Sequence, residues 1–525
     1  MSEPTLWTNA RVFSGSRYAE ALLIDQGAVV AIGTETEVRR AAPTGTNVVS
    51  LHGRLVLPGL IDAHLHLGDL ARYREGLDVS AVVDLEDLLS KLRNWALAHP
   101  SGPIVGRGLD LERSLHGRWP TQEELDRAVA DRPLIVYQAS GHAAVANRAA
   151  LEVAGVWSGS ADVLGNRVGR TADGKLNGVL YEEALRWLGP VAAVPLDPEA
   201  VLRALRYLGS MGLTTVASMN APPEENSLVR ALAAAHHLPI RVRVYVRLLR
   251  LTDFRAADLG PTGPPGMFRV TGTKGFVDGA FGPRTALLTE PYADAPETSG
   301  LAVESDAALA DALASARALG LTPALHAIGD AGVLRAAHLL APYCRDGGPR
   351  PRIEHVALTP PPVLAALDPE GPALVVQPGF VWSDSWLADR LGSDRARWAY
   401  TFRTLLDRDH LVAGSSDAPY DPTDPWRGLR ASTERRDELG RSANPDPGEA
   451  LGFEEAVRLY TVNAASALGE PSLGSLEEGS KADLVILDTT SLREGLRAGA
   501  RAVRETWVDG RRVFDVSAGD RGELR

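Results

Sequence analysis

Four apolar runs, far apart in the chain, each lead into a residue able to hold a metal ion. Leu55-Val-Leu runs into Pro58-Gly-Leu-Ile-Asp-Ala-His64-Leu-His66, and Leu321-Thr-Pro-Ala-Leu into His326. Pro351-Arg-Ile-Glu runs into His355, and Leu411-Val-Ala-Gly-Ser-Ser into Asp417. In a strand, the i, i+2 spacing of His64 and His66 turns both imidazoles to one side. Residues this distant share a site where strand ends converge, as they do at the C-terminal mouth of a (β/α)8 barrel. Neutral imidazole and carboxylate suit zinc and related divalent ions. Taken singly, each histidine reads as an ordinary core or surface residue. The repetition of one pattern on four runs is what points to a metal site. His52, His99, His116, His142, His236, His237, His338 and His410 fall in turns or helical stretches, and most read as structural.

The texture around these runs supports the same architecture. Short apolar runs alternate with amphipathic stretches such as Val201 to Met211, Ala307 to Leu319 and Ala331 to Tyr343, as parallel βα units require. The two ends differ from this middle. From Leu6 to Leu57, runs such as Ala21-Leu-Leu-Ile-Asp and Ala28-Val-Val-Ala-Ile alternate with polar and glycine turns, predicting small antiparallel strands with no helix. Near the C-terminus, Ala482-Asp-Leu-Val-Ile-Leu-Asp and a hairpin around Asp509-Gly510 repeat that texture. Both ends are therefore expected to build one β-sandwich. Loops are expected where Pro and Gly cluster, around 260–266, 347–351 and 444–448.

Charge and cysteine content narrow the function. With 55 Lys and Arg against 67 Asp and Glu, the net charge of −12 leaves no cationic excess for phosphates, so nucleic acid is not an expected partner. The one cysteine, Cys344, rules out an intrachain disulfide framework, and the N-terminus lacks a basic stretch followed by an apolar run. Apolar runs are too short for a bilayer. The expectation is a cytoplasmic protein acting on a small molecule.

The motif series resembles the amidohydrolase superfamily, and within it the amidohydrolase-3 group that includes N-substituted formamide deformylases. The match runs from the opening strands through Thr461-Val-Asn-Ala-Ala-Ser-Ala-Leu-Gly to Gly474-Ser-Leu-Glu-Glu-Gly-Ser-Lys-Ala-Asp-Leu-Val-Ile-Leu-Asp. It implies an α/β chain: a (β/α)8 TIM barrel over 58–468, a flanking β-sandwich from 1–57 and 469–525, and an α/β insertion at about 68–195. Lys274, in Arg269-Val-Thr-Gly-Thr-Lys-Gly-Phe-Val-Asp, falls where the family places a fourth-strand lysine that CO2 converts to a metal-bridging carbamate. Burial favours the neutral amine that reacts with CO2, whereas an ammonium cannot ligate a cation. The resemblance thus implies one metal at His64, His66, Asp417 and carbamylated Lys274, and a second at the carbamate, His326 and His355. It further implies hydrolysis of an amide-like C–N bond by metal-activated hydroxide, with Asp417 as general acid and base. One or two divalent ions, most simply zinc, would serve.

Other residues are candidates for the substrate. His142, in Ser140-Gly-His-Ala-Ala-Val-Ala-Asn, resembles a family segment whose histidine lies near the pocket. The family's Trp-Asp pair upstream is Leu109-Asp110 here, and an arginine before the Ser-Gly-His stretch is Gln138, which suggests altered substrate selection. Asp278 and Arg284 flank the loop after the lysine strand, either orienting substrate or pairing with each other. Phe380, Trp382 and Trp386 follow the predicted seventh strand as an aromatic wall or as loop packing. Glu182 has no evident task. Two competitors remain: a mononuclear deaminase-like hydrolase and a non-catalytic barrel scaffold. Deaminases of this barrel generally carry a glutamate where this chain has Gly329, and a scaffold would lose metal ligands that are all present here. Asp330 reads as a helix cap, and the exposed barrel rim suggests a homodimer.

Overall fold

A computed structural model describes residues 4–156, 168–189, 191, 195–259 and 266–518. The loop expected around 260–266 lies, apart from Gly266, outside these residues, as does 157–167 of the expected insertion. Eight parallel strands form the central sheet: β1 (Leu60–Leu65), β2 (Leu213–Ala221), β3 (Arg241–Arg247), β4 (Phe268–Phe276), β5 (Thr322–Ala327), β6 (Arg352–His355), β7 (Ala373–Val376) and β8 (Val412–Gly414). Each pairs with the next in sequence, β1 with β2 through to β7 with β8. The seam between β8 and β1 is bridged just beyond the strands. Asp417 N donates to His64 O and His66 N to Ala418 O, both at 2.8 Å. The barrel is therefore nearly closed at its C-terminal mouth.

Period-two alternation sorts side chains between the two faces of these strands. In β3, Val242, Val244 and Val246 join the large core shared with the surrounding helices, whereas Tyr245 joins a second core with Ala63, Ala217, Ala324, Ala373 and Ala413 of other strands. The alanines there leave room for the buried Tyr245 and Arg352, whose hydroxyl and guanidinium meet at 2.9 Å. The expected amphipathic stretches are helices Pro198–Ser210, Asp306–Ala318 and Asp330–Leu340. Asp197 caps the first, with Pro198 in its first turn, the pairing that helix starts favour. Asp330 caps nothing: it opens its helix and accepts from Thr289 N.

The two ends of the chain form two further sheets. One holds Thr5–Thr8, Ala21–Asp25, Ala28–Gly33 and Asn47–Ser50. The other mixes Arg11–Phe13, Tyr18–Ala19 and Leu55–Pro58 with Leu484–Leu487, Val503–Val508 and Arg511–Asp515. Trp7, Leu22 and Ile24 of the first share one apolar core with Val12, Val56, Leu484 and Ile486 of the second. The hairpin at Asp509-Gly510 has φ of 48° and 67°, as a two-residue hairpin turn needs. Two details depart from the sequence reading. Thr5–Thr8 and Asn47–Ser50 pair in parallel, as do Arg11–Phe13 and Leu55–Pro58. A helix also stands at Glu35–Ala41, set by a capping box between Thr34 and Glu37. Val38 is its one buried residue, so no apolar period announces it.

Between β1 and β2 lies a six-stranded sheet, from Leu77–Asp78 at one edge to Val168–Arg170 at the other, with helices that include Leu85–Ala98 and Gln122–Ala128. Leu134 and Val136 pack into the core on one face and Ile135 into the core on the other, so both faces are covered.

Candidate metal-dependent active site

Each candidate ligand sits at the C-terminal end of a barrel strand. His64 is in β1 and His66 just after it; Lys274, His326 and His355 end or nearly end β4, β5 and β6; Asp417 lies three residues beyond β8. All six are buried. Asp417 Oδ1 lies 3.2 Å from His64 Nε2 and 3.3 Å from His66 Nε2, and Lys274 Nζ lies 3.4 Å from that same His64 nitrogen. The His355 ring centroid is 4.9 Å from that of His64 and 4.3 Å from that of His326. Ligand atoms of His64, His355 and Asp417 all fall within 4.8 Å of one another.

The surrounding residues decide which atoms face inward. His64 Nδ1 meets Glu354 Oε2 at 2.7 Å, leaving Nε2 for the site. Arg352 holds Glu354 with two bonds, Nε to Oε1 at 2.8 Å and an Nη to Oε2 at 2.9 Å. Gln377 Oε1 takes His355 Nδ1 at 2.7 Å, and Gly279 O takes His326 Nε2 at 2.9 Å. His355 Nε2 and Asp417 Oδ1 are buried with no hydrogen-bond partner among the described residues. Such orphans are costly unless something else binds them. A divalent cation would satisfy both, so these residues fit a metal ion.

Protonation states agree with that fit. Burial pushes His66 below its ordinary pKa and His326 and His355 well below, so all three favour the neutral imidazole that ligates metal. Burial lowers Lys274 to about 8, with the charges of Glu354 and Asp417 opposing the fall. Burial works against charge on Asp417, but His64 and His66 outweigh it and hold the carboxyl well below the usual range. Glu354 is likewise opposed by burial and rescued by Arg352 and His64, reaching about 2.

The candidate substrate residues separate. The His142 ring, from the insertion, stands 5.1 Å from that of His326. Asp278 is fully buried and accepts from Leu287, Ile328 and Gly329 N, tying the loop after β4 to the loop after β5; burial raises its pKa to about 7. Arg284 pairs with Asp294 at 2.7 Å rather than with Asp278. Phe380 stacks over His355 at 6.4 Å, whereas Trp382 lies beneath Arg427 and Arg430. Glu354, Gln377 and Glu182 went unassigned in the sequence. A signal for Glu354 existed: Arg352 and Glu354 are charges on alternate positions of a strand buried on both faces.

The family description of the amidohydrolases matches residues 47–514. The chain belongs to the amidohydrolase family. This amidohydrolase is 29% identical over 517 residues to the putative amidohydrolase YtcJ of Bacillus subtilis, covering 95% of this chain and 96% of that one, and 29% identical over 524 residues to the N-substituted formamide deformylase of Arthrobacter pascens, with 94% of each chain covered. It is 30% identical to the protein LONG AFTER FAR-RED 3 of Arabidopsis thaliana, over 97% of this chain and 91% of that one. Its fold matches the crystal structure of an uncharacterized metal-dependent hydrolase from Pyrococcus horikoshii, with a TM-score of 0.77, 28% identity, and coverage of 96% of this chain and 100% of that one. The amidohydrolase is thus a metal-dependent hydrolase acting on carbon–nitrogen bonds.

Proposed function

We propose that this amidohydrolase hydrolyses an N-substituted amide or formamide of a small molecule. The observation that carries this reading is the convergence of His64, His66, Lys274, His355 and Asp417 around orphaned, buried ligand atoms. The similarity to the Arthrobacter deformylase supports the substrate class. His64, His66 and Asp417 would hold one ion, with His326 and His355 holding a second. Lys274 would join the two if its neutral amine added to CO2, forming an N–C bond and releasing a proton, because the resulting carbamate would carry two oxygens able to ligate cations. Bound divalent ions supply Lewis acidity and a water acidic enough to attack at neutral pH. Asp417, held as a carboxylate, takes the proton of the attacking water and returns it to the leaving nitrogen. Glu354 and Gln377 keep the ring nitrogens of His64 and His355 aimed, and Phe380 offers an apolar wall to the N-substituent. Trp382, Asp278 and Arg284 would act by supporting the mouth.

We also propose that the end sheets form one β-sandwich flanking a barrel domain at 58–468 with its insertion at about 68–195, and that the protein is a cytoplasmic homodimer. Size-exclusion chromatography with light scattering and cell fractionation test the last two.

Elemental analysis of metal per chain, paired with formate and amine release from N-substituted formamides, tests the reaction. Two ions per chain, lost in Lys274→Ala together with activity and restored by short carboxylic acids, is the expected result. One ion, indifferent to Lys274→Ala, would move the assignment to the mononuclear, deaminase-like chemistry. A chain that binds no zinc, manganese or cobalt and turns over nothing would be a scaffold.

A further inference from the structure

We infer that Glu182, contributed by the insertion, is a positioning residue of this active site, holding His142 so that its Nε2 faces the substrate's amide group at the metals. The inference rests on the metal-centre reading above and adds to it a residue with no assigned task. His142 and Glu182 continue the antiparallel pairing of Ala143–Ala146 with Leu176–Tyr181, in which Ala143 lies opposite Tyr181. Glu182 N donates to His142 O at 2.9 Å, extending that ladder by one residue. The Glu182 backbone then takes φ of 48°, a left-handed conformation that costs a residue with a Cβ. That bend accompanies a carboxylate, 5% exposed, which serves two partners. Its Oε2 meets His142 Nδ1 at 2.8 Å and its Oε1 accepts from Thr285 Oγ at 2.5 Å. Thr285 Oγ in turn accepts from Ala280 N at 3.0 Å, in the loop that follows the lysine strand.

A strained backbone and a buried carboxylate are both unfavourable in isolation, so their joint product is the clue. That product is an imidazole fixed beside the metal ligands. With Nδ1 engaged, Nε2 is the remaining polar atom of the ring. The ring centroid lies 5.1 Å from that of His326 and 6.4 Å from that of Phe276, which puts the imidazole beside a candidate metal ligand. The carbonyl oxygen or nitrogen of a bound amide is the group it would meet.

The test uses the cobalt-loaded enzyme and acetohydroxamate, a metal-chelating mimic of an amide, with the dissociation constant read from the visible spectrum. His142→Ala and Glu182→Ala should each weaken binding about tenfold, the scale of one hydrogen bond to a charged group, with cobalt per chain unchanged. Glu182→Gln, which keeps an acceptor for Nδ1, should recover most of that loss. The double variant should bind no worse than His142→Ala alone, because Glu182 acts through the imidazole. Additive losses, or tight binding by Glu182→Ala, would overturn the inference. Wild-type enzyme without bound cobalt would overturn the metal reading instead. Crystal structures of wild type and Glu182→Ala then decide the positioning role: a displaced His142 ring supports it and an unmoved ring sinks it.

Discussion

At the scale of single residues, the site depends on which nitrogen of each imidazole faces inward. Glu354 sets this for His64, and it stays charged in a fully buried position because Arg352 neutralises it from the same strand. Partners behind metal ligands typically contribute 10–100-fold to affinity. Glu354→Gln is therefore expected to weaken zinc binding by roughly 10- to 100-fold, measured by competition with a chromogenic chelator, while leaving the protein folded. Glu225 illustrates the opposite balance. It is buried on the helix Pro223–Ala234 with Ser218 Oγ as its donor, and burial raises its pKa from 4.5 to about 7. A raised carboxyl binds its proton more tightly in the folded state, so its share of stability is complete below pH 4.5 and is lost as pH rises to about 7. That share is on the order of 3 kcal/mol. Denaturant unfolding of metal-free protein at pH 5 and pH 8 should show the loss, and Glu225→Gln should reduce the difference between the two.

At the scale of elements, the barrel floor is tied to the end sheets by charge as well as by a shared apolar core. Arg241, at the start of β3, bonds both oxygens of Asp483 at 2.8 and 3.0 Å and reaches Asp509 at 2.6 Å. Arg241 and Asp483 are nearly inaccessible, so removing the carboxylate strands a buried guanidinium. Asp483→Ala should destabilise the fold by about 3–5 kcal/mol, visible as a lowered Tm, whereas a loss under 1 kcal/mol would mean that Asp509 suffices. The barrel strands and the helices Pro198–Ser210, Asp306–Ala318 and Asp330–Leu340 were readable because each carries its own local apolar pattern. The short helix at Glu35–Ala41 was not, since a single buried valine leaves no period to detect. Strand partners in the end sheets were also invisible: Leu55–Pro58 pairs with Leu484–Leu487, across almost the whole chain.

At the scale of the whole molecule, the candidate ligands come from four strands and the β8–β1 seam, so under the proposed reading ion binding and barrel closure would stabilise one another. Removing metal with a chelator should lower Tm, and adding back ion at a thousandfold excess over its Kd should restore about 4 kcal/mol. An unchanged Tm would place the ions outside the folding equilibrium. The sequence by itself picked out the residues that the structure brings together, because histidines and an aspartate at the ends of apolar runs are local features that the strand period turns into facing side chains, while Lys274 was marked by the family resemblance. It determined the class of fold for the same reason. Only the tertiary structure decided the partners: Arg352 and Glu354 behind His64, Asp294 rather than Asp278 for Arg284, and Glu182 behind His142. Those choices depend on distances between segments that share no local pattern, and distance is fixed by how the barrel strands pair and by how the segment between β1 and β2 brings His142 beside His326.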